Sequence, residues 1–134
     1  MNERMQTIKD VLDHQPDVMV AIVYGSEASE RSTPSSDIDL AIALDRPMSM
    51  EEELDYFAKL SRVSSREIDL VDLWKAHVPL LSEILDNGTQ LVKKSPELLA
   101  EFIKRACFEN ADFMPLRRRV LAIRRERFLQ NKTE

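Results

Sequence analysis

The stretch Val18-Met19-Val20-Ala21-Ile22-Val23-Tyr24-Gly25-Ser26, then ten residues, then Asp37-Ile38-Asp39-Leu40-Ala41-Ile42-Ala43-Leu44 decides the fold. Its first part is a short apolar run rich in β-branched residues, which reads as a buried central strand ending at Gly25. Its last part alternates: Ile38, Leu40, Ile42 and Leu44 fall on one face, and Asp37, Asp39, Ala41 and Ala43 on the other. Aspartate is disfavoured inside strands, so two of them on one face of an otherwise apolar strand need a reason. They stand about 6.6 Å apart along the strand, which suits a shared grip on hard divalent cations, magnesium foremost. Gly25 ends its strand and Ser26 opens the next segment, so their backbone N–H groups can face a phosphate. Between the two strands, Ser29, Ser32, Pro34, Ser35 and Ser36 read as a loop or a short helix plus loop, with Ser36 either a second phosphate contact or a loop hydroxyl.

The elements around this pair follow from periodicity. Met5, Ile8, Val11 and Leu12 predict a first helix that ends near His14 and covers a sheet. Ser49 and Glu52 form a capping-box pattern, and Met50, Leu54, Phe57 and Leu60 make the apolar stripe of the helix behind it. Residues 66–73 read as a third strand, with Glu67, Asp69 and Val71 on one face and Ile68, Leu70 and Asp72 on the other. Asp69 or Glu67 can therefore supply a third carboxylate, while Asp72 points away and reads as a cap for the turn at Trp74. Pro79 opens a helix that Asn87-Gly88 closes, and a short strand follows around Gln90 to Val92. Ser95-Pro96-Glu97 starts a last long helix with Leu99, Phe102, Ile103 and Ala106 on its buried side. These elements predict a mixed α/β core over residues 1–94, a small sheet with helices on one side, and a helical extension over 95–134.

Composition narrows the class. The chain has 134 residues and a net charge of −5, the wrong balance for coating a nucleic acid. No apolar run approaches the roughly 20 residues of a membrane span, and the N-terminus lacks a secretory pattern. A single cysteine, Cys107, forms no intramolecular disulfide and reads as packing. These features predict a cytoplasmic protein. The charge is unevenly placed, with 10 Lys/Arg and 18 Asp/Glu in residues 1–94 against 9 and 6 in 95–134. Arg117, Arg118, Arg119, Arg124, Arg125 and Arg127 lie beside Leu116, Val120 and Ile123, a basic amphipathic pattern that suits an acidic partner protein or RNA carried by a partner, with the acidic body favouring the protein.

The Gly25-Ser26 and Asp37-Ile38-Asp39 pairs, with Asp69 in Ile68-Asp69-Leu70-Val71-Asp72-Leu73, resemble the signature of the nucleotidyltransferase superfamily that includes DNA polymerase β. The short length, Ser36-Asp37-Ile38-Asp39-Leu40, the Pro79 helix and Gly88 resemble its minimal, MNT-type members over roughly residues 1–94, and more loosely at Asp112-Phe113-Met114-Pro115-Leu116. That resemblance implies an antitoxin that transfers AMP from ATP to a tyrosine hydroxyl of a HEPN-family ribonuclease toxin, with which it forms a hetero-oligomer. It implies catalytic and Mg²⁺-binding roles for Asp37, Asp39 and Asp69, with two ions during turnover, and triphosphate contacts for Gly25, Ser26 and Ser36. Arg117, Arg118, Arg124 and Arg125 become partner-binding residues. No direct nucleic-acid binding is expected of this chain alone. The sequence departs from many relatives at Ser29-Glu30, where an Arg-Gly pair follows the Gly-Ser-x-Ala segment, and Glu27 and Glu30 add charge that repels a triphosphate. Two alternatives therefore stand beside the protein-directed enzyme: an antitoxin that acts by binding only, and transfer to a small-molecule hydroxyl.

Overall fold

The computed structural model of the chain describes residues 3–25 and 37–109. Eight elements follow in order: α1 (Glu3–Asp13), β1 (Val18–Tyr24), β2 (Ile38–Leu44), α2 (Met50–Ser64), β3 (Ile68–Asp72), α3 (Val78–Asn87), β4 (Thr89–Lys93) and α4 (Pro96–Glu109). The strands form one mixed sheet in the order β3-β2-β1-β4, with β1 antiparallel to both its neighbours and β2 parallel to β3. The mixed α/β architecture is the expected one. Ser26, Ser36 and the arginines Arg117, Arg118, Arg124 and Arg125 lie outside the described residues.

The helices are divided between the two faces of the sheet rather than gathered on one side, which corrects the expectation from sequence. Met5, Ile8 and Leu12 of α1 and Leu60 of α2 pack on the face of Ile38, Leu40, Ile42 and Leu44. Leu81 and Ile84 of α3, with Leu99, Phe102 and Ala106 of α4, pack on the face of Val20, Ile22, Ala41 and Ala43. The short Ala41 and Ala43 side chains leave room for helices to approach the strand closely. Fully buried β1 residues on both faces are what the continuous apolar run requires.

Local signals set the element ends. Ser49 Oγ accepts from the Glu52 N–H at 3.1 Å and Glu52 Oε1 accepts from the Ser49 N–H at 2.9 Å, completing the capping box of α2. His77 caps α3, Gly88 N–H closes it on Ile84 O at 2.9 Å, and Ser95 Oγ accepts from the Leu98 N–H at the start of α4. Along α2, Leu60 of the predicted stripe is buried as expected, but its buried companions are Tyr56 and Ser64 rather than Met50, Leu54 and Phe57. Met50, Leu54 and Phe57 are 76, 61 and 40% exposed.

The first half of the expected extension is part of the core. Phe102 is buried and stacks edge-on against Trp74, with ring centroids 5.2 Å apart. The Arg105 guanidinium lies 5.5 Å from the Phe102 ring and donates to Leu73 O, Trp74 O and Ala76 O at 2.8 to 3.1 Å. Those bonds satisfy three carbonyls of the chain leaving β3, where the peptide groups have no ladder to join. Asp72 holds the same corner: its Oδ2 accepts from the Met48 N–H at 2.8 Å and its Oδ1 from the Trp74 N–H at 3.0 Å.

Candidate active site

Register brings the site together. Tyr24 at the end of β1 pairs with Asp39 on β2, and Asp39 pairs with Asp69 on β3. Register partners on neighbouring strands point to the same face, so the three side chains form a row across the sheet. They lie on the face that carries α3 and α4, at the strand ends those helices leave uncovered. Asp39 is partly buried and Asp69 exposed, so the row opens to solvent at its acidic end.

Gly25 sits directly against this row. Its φ of +69° is a left-handed conformation that L side chains rarely adopt, and a Cβ there would collide with Asp39 Oδ2. The glycine is thus required both by the turn and by the approach of the backbone to the carboxylate. The sequence pattern of glycine and downstream aspartate is a single contact in three dimensions.

The electrostatics are those of crowded anions. Asp39 has its pKa raised by burial, then by the nearby Asp69 carboxylate, and further by Asp37 and Glu83. Tyr24 is pushed up to about 12 by burial, with Asp39, Asp69 and Glu83 adding to the effect. Two carboxylates brought together by the β2–β3 register repel one another, and a hard cation relieves that repulsion. The donor chemistry of Asp39 and Asp69 therefore fits Mg²⁺. Asp37 lies just ahead of β2 and is exposed. Among the described residues, no group of three or more His, Cys, Asp and Glu side chains is gathered as a ready metal site.

Of the residues singled out from sequence, the fold unites Gly25, Asp39 and Asp69, with Asp37 near enough to act on Asp39 electrostatically. Glu67, the competing carboxylate, lines the groove beside Asp69 but has no part in raising Asp39 or Tyr24. Sequence reasoning missed Tyr24 and Glu83. Tyr24 could have been found as the polar last residue of an apolar strand. Glu83 had no signal, because only the fold of α3 over the sheet brings it near.

The family model described as polymerase beta, nucleotidyltransferase matches residues 6–97. No curated protein matches the sequence. Among solved structures, the chain is similar to one from a toxin-antitoxin complex with AMP-PNP, at 20% identity and a TM-score of 0.67, covering 99% of this chain and 100% of that one. It is also similar to a chain of the toxin-antitoxin pair MntA-HepT, at 19% identity and a TM-score of 0.62, over 98% of this chain and 97% of that one. A third likeness is to the complex of a tri-AMPylated Shewanella oneidensis HEPN toxin with its MNT antitoxin, at 18% identity and a TM-score of 0.57, over 97% and 99% of the two chains. At these identities the likeness establishes a shared fold. No helix among the described residues is long and apolar enough to cross a membrane.

Proposed function

The chain belongs to the polymerase beta nucleotidyltransferase family, and from that premise we propose that it is an antitoxin that transfers AMP from ATP to a tyrosine hydroxyl of a HEPN-family ribonuclease toxin. The observation that carries this reading is the meeting of Asp39 and Asp69 beside the Gly25 turn. The likeness to chains of toxin-antitoxin complexes, one with AMP-PNP and one holding a tri-AMPylated HEPN toxin, supports the choice of donor and acceptor.

Asp37, Asp39 and Asp69 would hold Mg²⁺, which when bound offsets the phosphate charge and lowers the pKa of the acceptor hydroxyl. The Gly25-Ser26 turn presents backbone N–H groups to the triphosphate, and Ser36 adds a hydroxyl contact. Asp69, exposed at the open end of the row, faces the incoming hydroxyl and receives its proton. The phenolic oxygen forms the new bond to the α-phosphorus, the bond from that phosphorus to the bridging oxygen breaks, and pyrophosphate leaves. Residues 1–94 carry this chemistry. Within the 95–134 extension, Arg117, Arg118, Arg124 and Arg125 contact an acidic surface of the toxin in a hetero-oligomer, in the cytoplasm.

The test is intact-protein mass spectrometry of the HEPN toxin after incubation with this chain, ATP and Mg²⁺, beside an Asp37→Ala/Asp39→Ala control. AMP-sized increments that appear only with the parent are expected. A stable complex with both proteins and no increment with either would replace the enzyme with a binding antitoxin.

A further inference from the structure

β3 ends the sheet on one side, since among the described residues no strand lies beyond it. The Ile38 N–H donates to Glu67 O at 2.9 Å and the Leu73 N–H to Ile42 O at 3.0 Å, so the odd-numbered residues turn their peptide groups toward β2. By the alternation of a parallel ladder, the N–H and C=O groups of Ile68 and Leu70 face outward. A groove of about 400 Å³ runs along this edge. One wall is the four consecutive residues Glu67, Ile68, Asp69 and Leu70. Because successive side chains point to opposite faces, a groove lined by all four follows the strand edge rather than either face. Met50, Leu54 and Phe57, the exposed stripe of α2, form the other wall, and Glu53 and Asp37 complete it.

We infer that this groove docks the acceptor protein by strand addition: an extended segment lies along β3, its apolar side chains on α2 and its cationic and hydroxyl-bearing side chains on the Asp69 face. The inference rests on the transferase reading above and names how its substrate is held. Three observations select this occupant. Outward-facing peptide groups at Ile68 and Leu70 offer hydrogen bonds that only an extended backbone can take in series. The described lining residues include acids at Asp37, Glu53, Glu67 and Asp69 and no base, which attracts lysine or arginine of an incoming segment. The groove is also continuous with the active site through Asp69, so a residue on the added strand stands about 4.8 Å, one strand spacing, from Asp69 and two spacings from Asp39.

The experiment titrates the ¹⁵N-labelled full chain with the peptide Lys-Val-Tyr-Val-Arg-Val-Lys, whose valines share one face, and with a version N-methylated at alternate amides on its β3-facing edge. Binding in the millimolar range or tighter is expected, with exchange of the Ile68 and Leu70 amides slowed by about tenfold or more. The N-methylated peptide and the Leu54→Lys variant should each weaken binding by about tenfold, while Leu54→Lys leaves thermal unfolding and Mg-ATP affinity unchanged. No binding, unchanged exchange at Ile68 and Leu70, or equal binding of the methylated peptide would overturn the proposal. Concentration-dependent protection of those amides without peptide would assign the edge to a second copy instead, and also overturn it. A peptide that docks while the HEPN toxin gains no AMP would defeat the transferase reading and leave the groove standing. Full-rate AMP transfer to the toxin by Leu54→Lys would defeat the groove and leave the reading standing.

Discussion

Asp39 and Asp69 are direct partners across the parallel β2–β3 ladder, and the proximity of Asp69 raises the Asp39 pKa beyond what burial alone does. Thirty residues of sequence, including the whole of α2, separate two groups that one strand spacing joins. Asp69 makes Asp39 harder to ionise, a cost that a bound cation would relieve.

Removing either carboxylate while keeping its shape is expected to abolish most of the transfer. Asp39→Asn and Asp69→Asn should each lower the rate of AMP transfer by about a hundredfold to a thousandfold, the equivalent of about 3–4 kcal/mol of transition-state stabilisation. Single-turnover mass spectrometry on the HEPN toxin reads this directly. Retention of the parent rate in either variant would remove that aspartate from the chemistry.

The same pair shapes stability against pH. With its pKa raised in the folded state, Asp39 binds its proton more tightly there than in the unfolded chain, so stability is greatest below the ordinary aspartate range near 3.9 and falls as pH climbs toward the raised value. Above that range the penalty is fully present. Asp39→Asn is therefore expected to raise Tm at pH 7 in the presence of a chelator, and the gain should shrink as pH is lowered toward 4. Thermal scans at both pH values check this; an equal Tm difference at the two would show that the effect is not titration.

Gly25→Ala tests the turn. A left-handed conformation costs an L residue about 1–2 kcal/mol, and the added Cβ also strikes Asp39 Oδ2. We expect a loss of stability of at least about 1 kcal/mol in urea titrations, with AMP transfer falling together with it because Asp39 is displaced. A fully active, fully stable Gly25→Ala protein would contradict the close approach.

Asp72 differs from its neighbours in serving structure alone. Its two oxygens hold the Met48 and Trp74 N–H groups, and Asp72→Ala strands the buried Met48 donor. A cost of about 1–3 kcal/mol is expected for that donor, with ATP binding at the surviving site unchanged when measured well below Tm.

Phe102→Ala is expected to cost about 3–5 kcal/mol, as for other buried aromatic truncations, and to loosen the Arg105 contacts with the chain after β3. Equilibrium unfolding measures it. A small loss would mean that α4 is only laid against the sheet rather than part of its core.

Much of this was written in local sequence. The β-branched run to Tyr24 marked the central strand, the alternation from Asp37 to Leu44 marked its neighbour, and Ser49, Pro79, Gly88 and Ser95 marked helix ends, because each of these signals acts over a few residues. The glycine and the aspartate pair were legible for the same reason, whereas Asp69 was preferred to Glu67 only through the family resemblance. Which side of the sheet each helix covers was not legible: periodicity says that a helix has a buried face and leaves open what it is buried against. Met50, Leu54 and Phe57 show the limit most plainly. Their spacing is that of a core stripe, yet α2 rolls Tyr56, Leu60 and Ser64 inward and leaves them at the groove.

The sequence by itself determined the strands, the caps and the residue types capable of phosphate and cation chemistry, since backbone propensity and side-chain periodicity are local properties. Only the tertiary structure decided that Tyr24, Asp39 and Asp69 stand in one row, that Gly25 meets Asp39, that Glu83 adds its charge, and that among the described residues β3 ends the sheet beside an exposed apolar stripe of α2. Those are consequences of strand order and register, which are set by how two cores on opposite faces of one sheet pack at once.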